Sequence, residues 1–153
     1  MHIQTQIVEL LQRIGVLRTQ TLYQVALARL GTDVSPLDRA PDMLGCAESV
    51  SELVRKVYPD FPIITGTSSL WRLLDMDPRF KKVSIPMPGA IIISPTGTAP
   101  TKMPGHVGIM GMGDQIMSNS SATGQFKQNY TMATWKARWG AAGFPIYFYQ
   151  LTK

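Results

Sequence analysis

The sequence has little cysteine and little histidine, and this limits the chemistry open to it. Cys46 is the only cysteine among 153 residues, and His2 and His106 are the only histidines. A single thiol forms no disulfide within the chain and cannot build a multi-cysteine zinc site. We therefore expect no metal and no other cofactor. Burial of the apolar residues, 44% of the chain, should hold the fold together.

Long apolar runs and a targeting segment are also lacking. Residues 1–11 mix Gln4, Gln6 and Glu9 with apolar positions and have no basic segment before them, so no signal peptide is predicted. The longest apolar runs, such as residues 90–93, fall far short of the roughly 20 residues that a membrane-spanning helix needs. We expect a soluble chain that makes no stable insertion into a membrane.

Acidic residues are scarce in the second half of the chain. Residues 78–153 contain eight basic residues and one acidic residue, Asp114, whereas residues 1–77 contain seven basic and nine acidic residues. A cationic half attracts polyanions, which include nucleic acids, anionic membranes and cell-wall polymers. The helix predicted next to the N-terminus shows only Arg18 and Arg29 as cations, which is poor for reading a DNA groove. We therefore expect no nucleic-acid partner.

Helical spacing dominates the first 31 residues. Apolar residues recur at this spacing from Ile3 to Ile14, and Gly15 follows where a left-handed cap would end a helix. A second such pattern is closed by Gly31. The sequence therefore predicts a helical hairpin over residues 1–31, packed against the rest of a single domain that spans residues 1–153.

The remaining chain changes from helical to strand-like patterns. Residues 32–45 are rich in turn formers and predict a loop. Helices are predicted from Cys46 to Tyr58 and over 67–75, and strands over 90–94, 106–110, 115–120 and 144–151. Helices thus precede strands, and this order predicts the α+β class, with N-terminal helices on a mostly antiparallel sheet.

Cys46 lies in the first turn of its predicted helix. Unpaired amides and the helix dipole stabilise a thiolate there, so we expect a lowered pKa for Cys46. The alternative is a buried structural cysteine, since free cysteine is among the most buried residue types. His106 begins a strand, and Asn119 lies on the next one. A tight turn near Met112 and Gly113 would set Asn119 opposite His106. A nucleophile, a base and an orienting amide then occur in this order.

Other polar residues compete for the third position. A shift of the turn by one residue would present Ser118 or Ser120 instead of Asn119, and Asn129 could orient His106 or lie on a substrate loop. Trp135 and Trp139 are four residues apart on a possible helix. We expect them to pack in the core rather than to stack on sugars.

Three blocks of sequence carry a family resemblance. They read Leu-Gly-Cys-Ala-Glu-Ser-Val over 44–50, Pro-Gly-Ala-Ile-Ile over 88–92 and Gly-His-Val-Gly-Ile-Met over 105–110. Over about residues 42–150 the chain resembles the NlpC and CHAP superfamily of cell-wall cysteine hydrolases. Ala90 departs from the Asp that the family often has there, and Glu48 and Ser49 replace its usual neighbours of the cysteine.

The resemblance implies a papain-like fold and hydrolysis of amide bonds in the peptides of bacterial peptidoglycan. Cys46 would be the nucleophile, His106 the base and Asn119 the third catalytic residue, with no cofactor. By analogy we expect a monomeric phage lysin, released from the host cytoplasm to the wall. Two alternatives stay open. One is another acyl hydrolase, deamidase or transferase that acts on a protein or lipid, and the other is a non-enzymatic basic phage structural or nucleic-acid-binding module with a core cysteine.

Overall fold

Helices occupy the first half of the chain and strands the second. The structure, a computed structural model, describes residues 2–35 and 45–152; most of the loop predicted over 32–45 and the first residue of the Leu-Gly-Cys block lie outside them. The elements in chain order are α1 (His2–Ala28), α2 (Gly45–Arg55), α3 (Thr67–Met76), β1 (Phe80–Val83), β2 (Ile91–Ser94), β3 (His106–Met110), β4 (Gln115–Asn119), β5 (Phe126–Thr131), α4 (Met132–Trp135) with a π-helical turn (Lys136–Gly140) after it, and β6 (Tyr147–Leu151).

The strands form one open sheet in the order β1-β6-β2-β3-β4-β5. Each neighbouring pair in that order is antiparallel. The α+β class with helices on an antiparallel sheet is therefore confirmed. The predicted α2, α3, β2, β3, β4 and β6 are also confirmed to within a few residues.

Side chains alternate across the sheet and build a core on each face. Val107 and Ile109 of β3 pack in the larger core, with Cys46 of α2 and with residues of α1 and α3. Met110 packs in the smaller core on the other face, with the helical tryptophans that follow β5. The two faces of β3 therefore pack against different cores. Because side chains alternate along a strand, each residue of β3 contacts only one of these cores.

The predicted helical hairpin is wrong, because α1 runs without a break from His2 to Ala28. Gly15 lies in its middle, where a Cβ atom would stand 2.6 Å from the carbonyl oxygen of Leu151. The hydroxyl of Thr19 donates to the Gly15 carbonyl at 2.9 Å and accepts the Leu151 amide at 3.1 Å. Gly15 therefore permits a close approach of α1 to β6 and does not end a helix.

Only the second half of α1 packs on the sheet. Its buried residues are Gly15, Thr19, Leu22 and Ala26, whereas residues 2–13 are exposed. No helix of the described residues combines the length and the apolar character that crossing a membrane requires.

Two strands, β1 and β5, were not predicted. β1 has apolar residues only at its ends, Phe80 and Val83, and is held by its pairing with β6. β5 pairs with β4 through a register shift between Ile116 and Met117. Such a bulge interrupts the alternation of apolar and polar residues, so the period-two pattern of a strand is absent from this part of the sequence.

We expect Gly15→Ala to destabilise the fold, although alanine favours a helix over glycine by up to about 1 kcal/mol. The added methyl group meets the Leu151 backbone, and overpacking of this kind costs about 1–3 kcal/mol. Gly140→Ala is the matched control, because its Cβ would make only ordinary contacts, the nearest at 3.7 Å. Denaturant unfolding followed by tryptophan fluorescence measures both variants; equal stability of the two would contradict the close contact.

Candidate active site

Cys46 lies at the N-terminus of α2 and is buried against β3. The backbone amides of Val107, Ala47 and Cys46 itself lie near the thiol, and each lowers its pKa. Burial acts more strongly in the other direction and raises the pKa of the Cys46 thiol to about 11, with a small contribution of the same sign from Glu48. The predicted lowering of this pKa is therefore wrong, because the loss of water outweighs the amides. At neutral pH the thiol is protonated.

Glu48 is a buried neighbour of the thiol that sequence reasoning missed. It is 1% exposed and accepts a hydrogen bond from the hydroxyl of Ser35. Its Oε1 has no partner among the residues that the structure describes. A glutamate in the first turn of a helix usually lies at the surface, where its charge interacts favourably with the helix dipole. The burial of Glu48 could therefore not be predicted from the sequence.

His106 begins β3, and its ring lies in an aromatic cluster. It stacks on Trp139 with ring centroids 4.8 Å apart, and lies 5.3 Å from Trp135 and 5.7 Å from Tyr130. Both tryptophans are buried, and their indole N–H groups donate to Ser94 Oγ and to the Pro104 carbonyl. Their predicted role in packing is confirmed. The cluster holds the His106 ring in one orientation.

A hydrogen-bonded chain runs from His106 through Ser118 to Asn129. Ser118 Oγ donates to Asn129 Oδ1 at 2.7 Å, and it lies 2.9 Å from His106 Nε2. A hydroxyl has one proton to donate, so Ser118 accepts from His106 and the proton of the neutral ring is on Nε2. Nδ1 then carries the lone pair and has no hydrogen-bond partner within the described residues. It is the basic atom of the ring.

The environment of His106 keeps the ring uncharged. His106 is half-buried; the packed rings keep water from the imidazole and lower its pKa to about 3, and the positive charge of Arg138 acts in the same direction. Arg138 stands over the Trp139 ring at 5.2 Å. At neutral pH the imidazole is therefore a neutral base that could accept a proton at Nδ1.

Asn119 does not lie opposite His106. The pairs Ile109 with Met117 and Met110 with Ile116 fix the register, which sets Asn119 opposite Val107. The expected facing of Asn119 and His106 is therefore wrong: the same register sets Ser120 opposite His106, and Ser118, on the same face of β4, contacts the ring. The cause is the turn, which has three residues between the paired Gly111 and Gln115 and not two.

Asn119 lies instead beside the N-terminus of α2. A Cβ atom on Gly45 would stand 2.7 Å from Asn119 Nδ2, so a larger residue there would displace the Asn119 side chain. The side chain is 4% exposed, and its Oδ1 is buried without a partner among the described residues. Asn119 thus shares the face of the sheet on which Cys46 packs.

The structure brings Cys46 and His106 to neighbouring points of β3 but not into contact. The thiol meets the amide of Val107, which directly follows His106. The His106 ring lies on the other face, with Trp139. In the part of the chain that the structure describes, no hydrogen bond joins the thiol to the ring. Cys46 and His106 therefore lie at neighbouring residues of β3 but on opposite faces of the sheet.

A cleft of about 490 Å³ opens beside this arrangement. The residues that line it include His106, Asn119, Asn129, Arg138 and Trp139. Arg138 supplies a positive charge, and none of the described lining residues is acidic. Asn119 lines the cleft and also borders Gly45, whereas Gly45 and Cys46 are not among the lining residues.

Comparison with known proteins finds no matching protein-family model and no matching curated protein. The described residues also contain no group of three or more histidine, cysteine or acidic side chains placed to hold a metal ion.

We expect alkylation of the folded chain by iodoacetamide to be slow at pH 7.5. Raising the thiol pKa from about 8.5 to about 11 lowers the thiolate fraction roughly 300-fold, and burial restricts access further. The rate should keep rising with pH up to about 11. Mass spectrometry follows the single thiol, and the chain unfolded in guanidinium chloride is the control. A folded-state rate that levels off below pH 8 would contradict the buried, protonated thiol.

Proposed function

We propose that the chain is a papain-like cysteine hydrolase that cleaves amide bonds in the peptides of bacterial peptidoglycan. The observation that carries the proposal is the chain from His106 Nε2 through Ser118 to Asn129, next to Val107, whose amide meets the only thiol. A thiol on a helix N-terminus, an imidazole on the sheet and a polar group that orients it are the parts that acyl transfer by cysteine needs.

In the proposed reaction the Cys46 sulfur attacks the carbonyl carbon of the substrate amide while its proton passes to His106 Nδ1. Ser118 and Asn129 hold the ring through Nε2 and stabilise the imidazolium. The imidazolium then gives the proton to the leaving amine as the C–N bond breaks, and a thioester remains. Water attacks the thioester with His106 as the base, which releases the acid and restores the thiol.

The resting groups are uncharged, so the proposed attack couples proton transfer to bond formation. Burial holds the thiol protonated and the ring neutral. A bound substrate has to bring the sulfur and Nδ1 into hydrogen-bond distance, because the two groups are not bonded to each other in the described structure. Catalytic hydrogen bonds are often formed only in the complex with substrate.

The proposed role of Asn119 differs from the orientation of His106 that the sequence suggests. Its side chain lines the cleft and lies beside Gly45, at the N-terminus of α2. We propose that its amide and the backbone amide of Cys46 donate to the oxygen of the tetrahedral intermediate. Donors of this kind stabilise the charge that develops on the oxygen, and each contributes about 10²–10³ in rate.

The charge of the cleft supports a peptide substrate with carboxylates, such as the wall peptide. Arg138 is a cation of the lining, and the described lining offers no acidic residue. The net charge of +5 acts in the same direction over a longer range.

The buried, protonated thiol favours a second candidate function, a non-enzymatic basic module in which Cys46 only fills the core. In this candidate the hydrogen bonds from His106 through Ser118 to Asn129 have no chemical role. The two candidates differ in what the loss of the thiol does.

We expect Cys46→Ala to abolish the release of new amino groups from purified peptidoglycan, because it removes the nucleophile. His106→Gln should do the same, whereas His2→Gln, at an exposed position of α1, should retain full activity. Circular dichroism checks that the variants fold. Wild-type activity of a folded Cys46→Ala chain would refute the cysteine mechanism and leave the core-cysteine module.

Ser118→Ala and Asn119→Ala should lower turnover in different ways. Ser118→Ala removes the acceptor of the Nε2 proton while the aromatic cluster still packs on the ring, so we expect a lower kcat and a changed pH dependence of kcat/KM. Asn119→Ala removes only an oxyanion donor, so we expect kcat to fall about 10²–10³-fold with an unchanged pH profile. Ser84→Ala, at an exposed position outside the cleft, is the control. Equal pH profiles for Ser118→Ala and the wild type would contradict the orienting role of Ser118.

A further inference from the structure

The N-terminal part of α1 carries an apolar stripe that the rest of the chain leaves exposed except at Ile14, which is half-buried. It consists of Ile3, Ile7, Leu10, Ile14 and Leu17, and we name it the α1 seam. Its members are spaced alternately by four and three residues. Ile3 is 72% exposed, Leu10 57% and Leu17 60%.

The α1 seam is separate from the stripe that fixes α1 to the sheet. The buried part of that second stripe begins at Gly15 and continues through Thr19, Leu22 and Ala26. Val8 and Leu11 extend it toward the N-terminus as exposed residues. A strict spacing of four and three residues gives a period of 3.5, which is typical of helices that pair in a left-handed coiled coil. The seam therefore has the pattern of a helix pair, and its partner helix is not supplied by the described chain.

We propose that two copies of the chain associate through the α1 seam as an antiparallel helix pair. In this arrangement Ile7 lies opposite Leu10 of the second copy, and Ile3 opposite Ile14. The proposal replaces the monomer that the resemblance implies. It does not depend on the proposed enzymatic function.

Flanking charges favour the antiparallel order. With Ile7 and Ile14 at heptad position a, Arg13 occupies position g and Arg18 position e. A parallel pair would set Arg13 against Arg18 of the other copy, and like charges at these positions repel. The antiparallel order sets Arg13 opposite Gln6 and removes this repulsion.

The size of the seam is sufficient for a reversible dimer. Each copy would bury roughly 500–600 Å² of apolar surface, so the pair approaches the lower end of the range of about 1,200–2,000 Å² for specific interfaces. Residues 2–17 alone make a marginal helix in water. The packed half of α1, from Gly15 onward, already holds the helix in place, so little ordering is left for association.

A membrane surface fits the seam less well than a second copy. Helices that lie on anionic membranes have a polar face rich in lysine and arginine. Between His2 and Leu17 the helix has one acidic residue, Glu9, and one arginine, Arg13. The polar face is therefore nearly uncharged, which suits contact with an identical helix.

Sedimentation velocity over a hundredfold range of concentration tests the proposal. We expect the wild-type chain to form a dimer in the micromolar range. Leu10→Lys places a charge in the seam and should weaken the dimer at least tenfold. Gln12→Lys adds the same charge on the opposite side of the helix and should leave the dimer unchanged. Circular dichroism confirms folding, and Ile3→Lys, at a more exposed position, replaces Leu10→Lys if that variant fails to fold.

Three results would overturn the proposal. The first is a wild-type chain that stays monomeric throughout the range, including one that instead binds phosphatidylglycerol vesicles. The second is a dimer that Leu10→Lys and Gln12→Lys affect equally. The third is a tighter dimer for Arg13→Glu, since this change creates an attraction to Arg18 only in the parallel order.

Discussion

The register of β3 is the constraint on which the site depends. Ile109 pairs with Ile91 on one side and Met117 on the other, and these apolar residues share the larger core. Because side chains alternate, this pairing sends the His106 ring to the other face and leaves the Val107 amide beside the thiol. A slip of one residue would exchange the faces of the whole strand, at the cost of exposing its apolar residues. The cores therefore determine where the polar groups lie.

Burial shifts the pKa values of the two reactive groups in opposite directions, and in both groups it favours the uncharged form. It raises the pKa of Cys46 and lowers that of His106, because each group is less stable when charged in an apolar environment. Two neutral groups are compatible with the core, whereas a preformed thiolate and imidazolium would need a direct contact that β3 prevents. The charges of the proposed reaction can then arise only when a substrate has rearranged the site.

Local patterns predicted the elements that local forces determine. α2 and the hairpin of β3 and β4 follow from helical spacing, alternation and a glycine-bearing turn, and their boundaries were found from these signals. The turn has three residues with Gly113 at φ 61°, a common hairpin type that a sequence does not distinguish from a two-residue turn. That single residue turns Ser118 and Ser120, rather than Asn119, to the face of His106. The bulge of β5, which brings in Asn129, and the burial of Glu48 depend on tertiary contacts that have no local signal.

Gly15 shows most clearly how a distant contact overrides a local one. A glycine after an apolar stripe is typical of a helix end, yet Leu151, far along the chain, makes it a point of close approach. Because α1 is continuous through Gly15, the exposed half of the helix keeps the same axis as the packed half. Ile14 and Leu17 stay in phase with Ile3, Ile7 and Leu10 only if no residue breaks the helix between them. The contact that holds α1 on β6 therefore also keeps the α1 seam straight and turned away from the sheet.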